Sequence, residues 1–341
     1  VCAVVWWTFS KGDETCDELV HSRQERETRE SNRSGGIVAF EDIKKGLKAA
    51  ADVTRTARNP VELLKMALPA ELRGRHLLND GEPAQDAPRG AEVAVALRAL
   101  RNRLKGDAYV VESGGVDYAK LAGSQAFEEL EQMSRALKLL RPEDLPTHEE
   151  RLAFWINLYN VQVIHGVIAL GIEKSVREIP SFFSTVGYQV GEDFFSPDAI
   201  EHGLLRRNAG HPSRNKAFFK EGDPRLAWML DKLDPRIHVS LVCVSQGCPP
   251  ISFYDADRIE DQLTMAAEGF VNTGVEVDEE AKEIVTSSIF DWYGGDFGGE
   301  EGVLDFFIAH ADPGLKEALE VARTERYAMR FLPYDWSLNS L

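Results

Sequence analysis

The stretch from Thr147 to Gly171 constrains this chain more than any other. Thr147-x-x-Glu150 is a capping box, in which each side chain bonds the other's backbone N–H. Leu152 to Leu170 is then mostly apolar, and Gly171 supplies a stop. A helix apolar on most faces has no side to give to water, which predicts a central helix wrapped by the rest of the fold. Neither this stretch nor any other reads as long and pure enough to span a bilayer. Asn157, Asn160 and His165 interrupt it, all near one face. Buried amides must find partners. Each either orients a catalytic histidine or oxyanion, or braces loop backbone, and bracing is the commoner use.

Other segments supply the layers around that helix. Val93, Leu97, Leu100 and Leu104 repeat at helical spacing, and Phe127, Leu130, Leu137 and Leu140 give another amphipathic helix. Thr185 to Phe195 reads as a hairpin that turns near Gly191-Glu-Asp. Ser196-Pro197 is an N-cap with proline at the first helical position, so a short helix carries Ile200-Glu-His202. The β-branched run from Ile237 to Val242 reads as a buried strand. Further along come a helix from Asp255 to Val271 and a strand from Ile284 to Phe290. Helices from Val303 to His310 and from Pro313 to Ala322, and a last strand from Tyr327 to Phe331, complete the chain. Helices outnumber strands and no βαβ spacing appears. The class is α+β, mainly helical with a small antiparallel sheet.

The N-terminal part reads differently. Val1 to Phe9 is apolar but shorter than the ~20 residues of a membrane span. It matches the tail of a targeting or anchoring segment. Residues 10–36 are polar and charge-mixed, as in a disordered linker, so 1–36 is read as linker or targeting remnant. Residues 37–90 read as a helical extension and loop, and 91–341 as a single α+β domain.

The loop after the predicted strand carries the chemistry. Ser245-Gln-Gly is a turn, Cys248 follows it, and two prolines fix what comes next. Reactive side chains are often mounted this way, on a loop carried by a rigid element. Cys248 is the candidate nucleophile, and it needs a base or a positive field to become a thiolate near neutral pH. His202 and His238 are the candidate bases. His202 ranks ahead, because His238 begins the same strand and the turn would have to fold back to bring Cys248 to it. Asn157 or Asn160 would orient the base, and backbone N–H groups around Gly247 and Cys248 would hold an oxyanion. Ser245, Glu201, Trp155, Tyr159 and Trp292 are the candidate substrate-pocket residues.

Other chemistries have weaker signals. Cys248 with two histidines is a legitimate zinc set, but the close ligand spacing of such sites is missing, so neither metal nor cofactor is called for. No phosphate-binding loop, dinucleotide fingerprint or serine-hydrolase elbow appears. A reversible Cys243–Cys248 disulfide is disfavoured, because a strand would point Cys243 into the core. Lys and Arg number 39 against 56 Asp and Glu, a net charge of −17, which argues against nucleic-acid partners. Four cysteines in 341 residues are too few for a disulfide scaffold. Reduced thiols favour a cytoplasmic setting, with a secreted or anchored form as the alternative suggested by Val1 to Phe9.

Several of these segments together resemble a known family. Phe154-Trp-Ile-Asn157-Leu-Tyr-Asn160, Ile200-Glu-His202-Gly-Leu-Leu-Arg206, Asp234-Pro-Arg-Ile-His238, Ser245-x-x-Cys248-Pro, Ile289-Phe-Asp-Trp-Tyr293 and Tyr334-Asp-Trp-Ser-Leu-Asn339 occur in its order. The chain is similar to the domain of unknown function 547 from about Asp107 to the C-terminus. The resemblance implies no established reaction. Its Cys, two His and two Asn point to a papain- or transglutaminase-like thiol site, and His165 is a departure from the pattern. Two function classes follow: a cysteine-dependent hydrolase or acyltransferase, or a non-enzymatic binding or adaptor domain in signalling. The partner is an unspecified small molecule, peptide or protein.

Overall fold

The computed structural model describes residues 74–110, 115–214 and 216–341. The expected linker over 10–36 and the helices expected between residues 37 and 70 lie outside the described residues. The described residues belong to one compact unit. Within it, β1 (His76–Leu77) pairs with the central hairpin. Asn79, expected in a loop, is buried and ties Ser134 to both backbone groups of Gln189.

The helices are α1 (Ala91–Ala108), α2 (Tyr118–Ala122), α3 (Gln125–Ser134), α4 (His148–Ala169), α5 (Phe182–Thr185), α6 (Ile259–Gly274), α7 (Ile289–Trp292), α8 (Gly294–Phe297), α9 (Glu300–His310) and α10 (Pro313–Glu325). Among the described residues the strands are short and form three small sheets. In the first, β1 pairs parallel with β4 (Val186–Val190), which pairs antiparallel with β5 (Asp193–Phe195). In the second, β2 (Tyr109–Val110) pairs with β3 (Gly115–Val116). In the third, β7 (Glu283–Ser287) lies antiparallel to β6 (Glu276–Asp278) and parallel to β8 (Ala328–Leu332). In place of the small antiparallel sheet of the sequence reading, the described residues form two mixed sheets and one antiparallel pair within a mainly helical α+β fold.

The central helix is α4. Thr147 Oγ1 accepts from the Glu150 N–H at 3.1 Å, and a Glu150 oxygen accepts from the Thr147 N–H at 3.0 Å. At the other end Gly171 adopts φ 60°, and the Ile172 N–H reaches the Val167 carbonyl, closing the helix as a glycine stop does. By length and composition alone α4 is long and apolar enough to cross a membrane. Its most apolar 18-residue window, of mean hydropathy 1.3, is 83% buried inside the fold, as the core helix of a folded domain would be. Trp155, expected in a substrate pocket, is fully buried among Phe154, Phe195 and Trp228. It is a core residue with no surface to offer a ligand.

The hairpin forms as expected. Gly191 opens its two-residue turn with φ 58°, a position where hairpin turns require glycine. The helix after it is capped by Ser196, whose Oγ accepts from the Ala199 N–H, and over Ala199–Leu205 it is wound as a π-helix. The Arg206 N–H reaches the Glu201 carbonyl five residues back. Such windings are rare and concentrate at functional sites.

Two strand expectations change. Pro235–Val239 is a 3₁₀ turn, started by Asp234, whose side chain accepts from the Arg236 N–H, and by proline at the first position. That start signal outweighs the β-branched pattern, and the following residues run as buried irregular chain. The strand expected to reach Phe290 ends at Ser287 and gives way to α7. The apolar core has two parts. The larger surrounds α4 and includes Ile237, and the smaller, under α6, α9 and β7, includes Val239. His238 therefore sits at the seam between them.

His165 is a core residue, with Nδ1 2.9 Å from the Tyr188 hydroxyl. Burial lowers its pKa from 6.5 to about 4. Below pH 6.5 the unfolded chain binds a proton that the folded chain refuses, so this contribution is complete above pH 6.5 and lost as pH falls to about 4. A shift of that size corresponds to roughly 3 kcal/mol. In His165→Gln, which keeps a partner for Tyr188, the fall in urea midpoint across that pH window should be visibly flatter than in the native chain. A second test concerns the π-helix: a methyl group on Gly203 would collide with the Phe219 ring. Gly203→Ala should cost about 1–3 kcal/mol by chemical denaturation.

Candidate functional site

Cys243 and Cys248 are joined as a disulfide, with their Cα atoms 6.1 Å apart. Because the segment is not a strand, Cys243 does not point into the core, as the sequence reading had it. Both cysteines are half-buried. Cys248 Sγ accepts the Cys243 N–H at 2.8 Å. Ser245 Oγ lies 3.0 Å from Cys243 Sγ and 3.4 Å from Cys248 Sγ. The Tyr334 hydroxyl lies 3.0 Å and 3.2 Å from the same two sulfurs. Burial pushes the Tyr334 pKa up to about 12, so it remains a hydroxyl donor at neutral pH.

Two elements hold this loop. From below, Asn160 on α4 accepts the Val242 N–H at 2.9 Å and donates to the Ser240 and Ser252 carbonyls. Asn157 clamps both backbone groups of Tyr254 in the same way. Both amides are thus spent on loop backbone. From the side, the C-terminal segment pairs with the loop. Gln246 N–H donates to Ser337, Gly247 N–H to Asp335, and Asn339 N–H to Val244, with Ser245 bridging Leu338. Gly247 and Cys248 were the expected oxyanion donors, but their N–H groups are engaged by Asp335 and Ser245. Between the cysteines, Val244 adopts φ 58°. For a β-branched residue this is a strained conformation, of the kind that clusters at functional sites.

The two histidines belong to a buried polar cluster. Arg206 forks onto Asp296 through Nε and Nη2, and its Nη1 donates to His202 Nδ1 at 3.1 Å. Arginine only donates, so neutral His202 carries its proton on Nε2. Burial lowers the His202 pKa to about 4. His238 donates from Nε2 to Asp296 at 2.8 Å and stacks on Tyr293 with ring centres 3.9 Å apart. Burial opposes ionisation of Asp296, but its bonds to His238 and Arg206 outweigh that and bring its pKa to about 2. Neither imidazole is hydrogen-bonded to Cys248 among the described residues.

Glu201 is the hub of the cluster. Burial works against its carboxylate, but His202, His238, the Tyr293 hydroxyl and Arg206 outweigh that, so its pKa lies below the ordinary value. Tyr159 also reaches it, at 3.5 Å. Tyr334 feels the Glu201 charge as well, which links the sulfur pair to the cluster electrostatically. Trp292 is 39% exposed and stacks on Trp336, with Tyr334 beside both. Among the described residues no group of three or more His, Cys, Asp or Glu is arranged to hold a metal ion.

Residues 142–271 match the family model described as Protein of unknown function, DUF547. This segment is similar to that family. It contains α4, the π-helix, His238 and the cysteine loop. Tyr293, Asp296 and Tyr334 lie beyond it, so the site is completed from outside the DUF547 match. No curated protein and no solved structure matches the chain. The sequence reading did not assign Arg206, Tyr293, Asp296 or Tyr334 to the site. Arg206, Tyr293 and Tyr334 stand in recognised motifs, but Asp296 has no local signal.

Asn160→Leu would strand one N–H and two carbonyls near the cysteine loop. It should cost about 2–4 kcal/mol by urea denaturation and speed hydrogen exchange at Val242.

Proposed function

We propose that this site performs nucleophilic thiol chemistry on a carbonyl, as a cysteine-dependent hydrolase or acyltransferase. Cys248 is the attacking group once its bond to Cys243 is open. The observation that carries this reading is the convergence of donors on Cys248 Sγ: one backbone N–H and two hydroxyls. Hydrogen bonds to the charged form lower a thiol pKa and raise the thiolate fraction. The thiolate sulfur bonds the carbonyl carbon, and the carbonyl electrons move onto oxygen. The Tyr334 hydroxyl is the donor available to that oxyanion. The tetrahedral adduct then collapses to a thioester on Cys248 and expels the leaving group with a proton. That proton is the one the Cys248 thiol released on ionising, returned through solvent. Water or an acceptor nucleophile then takes the acyl group and frees the thiol.

The papain- or transglutaminase-like comparison extends to residue types. The imidazoles here work against Asp296 and Arg206, and the two amides against loop backbone. The exposed Trp292, stacked on Trp336, favours a second reading, a binding or adaptor domain whose partner carries a flat apolar group. The attacking form needs an open cysteine pair, which fits a reducing, cytoplasmic setting.

The test uses reduced protein and p-nitrophenyl acetate. Cys248 should alkylate with an apparent pKa below the free-thiol value of ~8.5. An acetyl adduct on Cys248 should appear by peptide mass mapping and vanish in Cys248→Ser. A normal thiol pKa with no adduct would end the enzyme reading. Loss of partner capture in Trp292→Ala, with no turnover in either protein, would then favour the binding reading.

A further inference from the structure

We infer that Cys243 and Cys248 form an exchangeable couple that reacts with small-molecule thiols, so that this domain carries a thiol–disulfide exchange activity. The proposal goes beyond carbonyl chemistry at Cys248, although both use the same sulfur. It rests on four observations. The two sulfurs are paired across only five residues. Both are half-buried and not sealed in the core. The backbone between them is strained at Val244. Donors are already placed for the reduced state, since Tyr334 and Ser245 reach both sulfurs and the Cys243 N–H reaches Cys248.

Those contacts also decide which sulfur leaves. A disulfide is broken by a thiolate attacking one sulfur, and the more stabilised thiolate leaves faster. Cys248 Sγ accepts a backbone N–H in addition to the shared hydroxyls. The incoming thiolate therefore bonds Cys243 Sγ, the Cys243–Cys248 bond breaks, and its electron pair stays on Cys248. A second small thiol then attacks the mixed disulfide at its own sulfur. A symmetrical small-molecule disulfide departs, and Cys243 takes up a proton. The protein gains two electrons and the small thiols lose two. Asn160 and the segment from Asp335 to Asn339 hold loop backbone and do not bond the sulfurs. The couple can therefore open while its mounting stays in place.

The experiment incubates the whole chain in glutathione buffers of graded reduced-to-oxidised ratio, then quenches with N-ethylmaleimide and maps the peptides. The dithiol fraction should follow the ratio reversibly. Glutathione should be trapped on Cys243, with maleimide on Cys248. In Tyr334→Phe the dithiol form loses a hydrogen-bond donor, so its equilibrium with the disulfide should shift about threefold or more toward the disulfide. A merely structural role would leave that ratio unmoved and lower only the melting temperature. A pair that stays closed at every ratio in folded protein, or glutathione found mainly on Cys248, overturns the inference. If exchange fails but chemically reduced Cys248 still acylates, the carbonyl reading stands alone. If exchange succeeds without acylation, the exchange activity stands alone.

Discussion

The rest of the structure depends on the polar side chains that α4 carries into its own apolar surroundings. Asn157 holds Tyr254, Asn160 holds Ser240, Val242 and Ser252, and Gln162 donates to Val186 and Phe195. His165 meets Tyr188. The asparagine bonds reach segments that no regular sheet or helix supports, and those of Gln162 and His165 reach the β4–β5 hairpin. A helix apolar throughout would bury as much surface, but it would leave those backbone groups without partners. The irregular loops that form the site exist because one central helix satisfies them.

The site has two layers with different electrostatics. The sulfur layer is half-buried and surrounded by neutral donors. The charged layer beneath is closed, with Arg206 against Asp296 and with Glu201 among tyrosine hydroxyls and imidazoles. Burial alone would discharge these carboxylates, and only mutual pairing keeps them ionised. The layers meet where Tyr334 touches both sulfurs and feels Glu201. That meeting point lies at the seam between the two cores, since α7 and α8 bring Tyr293 and Asp296 toward a π-helix that belongs to the larger one.

Local signals were legible where neighbours in sequence decide the outcome. The capping box at Thr147, the cap at Ser196, the glycine turn of the hairpin and the helices α9 and α10 all form as their patterns predict. The β-branched run after Asp234 misled, because a cap with proline starts a helical turn more strongly than branching favours a strand. The parallel pairing of β7 with β8, residues that lie more than forty positions apart, carried no local mark at all.

By itself the sequence determined the central helix, the mounting of Cys248 after a turn, and the group of residues that includes His202, His238 and both asparagines. These follow from spacing and from the cost of burying polar groups. The tertiary structure alone decided what those residues touch. It turned Cys243 toward Cys248, gave the histidines to Asp296 and Arg206, spent the asparagines on loop backbone, and brought Tyr334 over the sulfurs. Contacts between residues tens of positions apart depend on how whole elements pack, and no window of sequence contains that information.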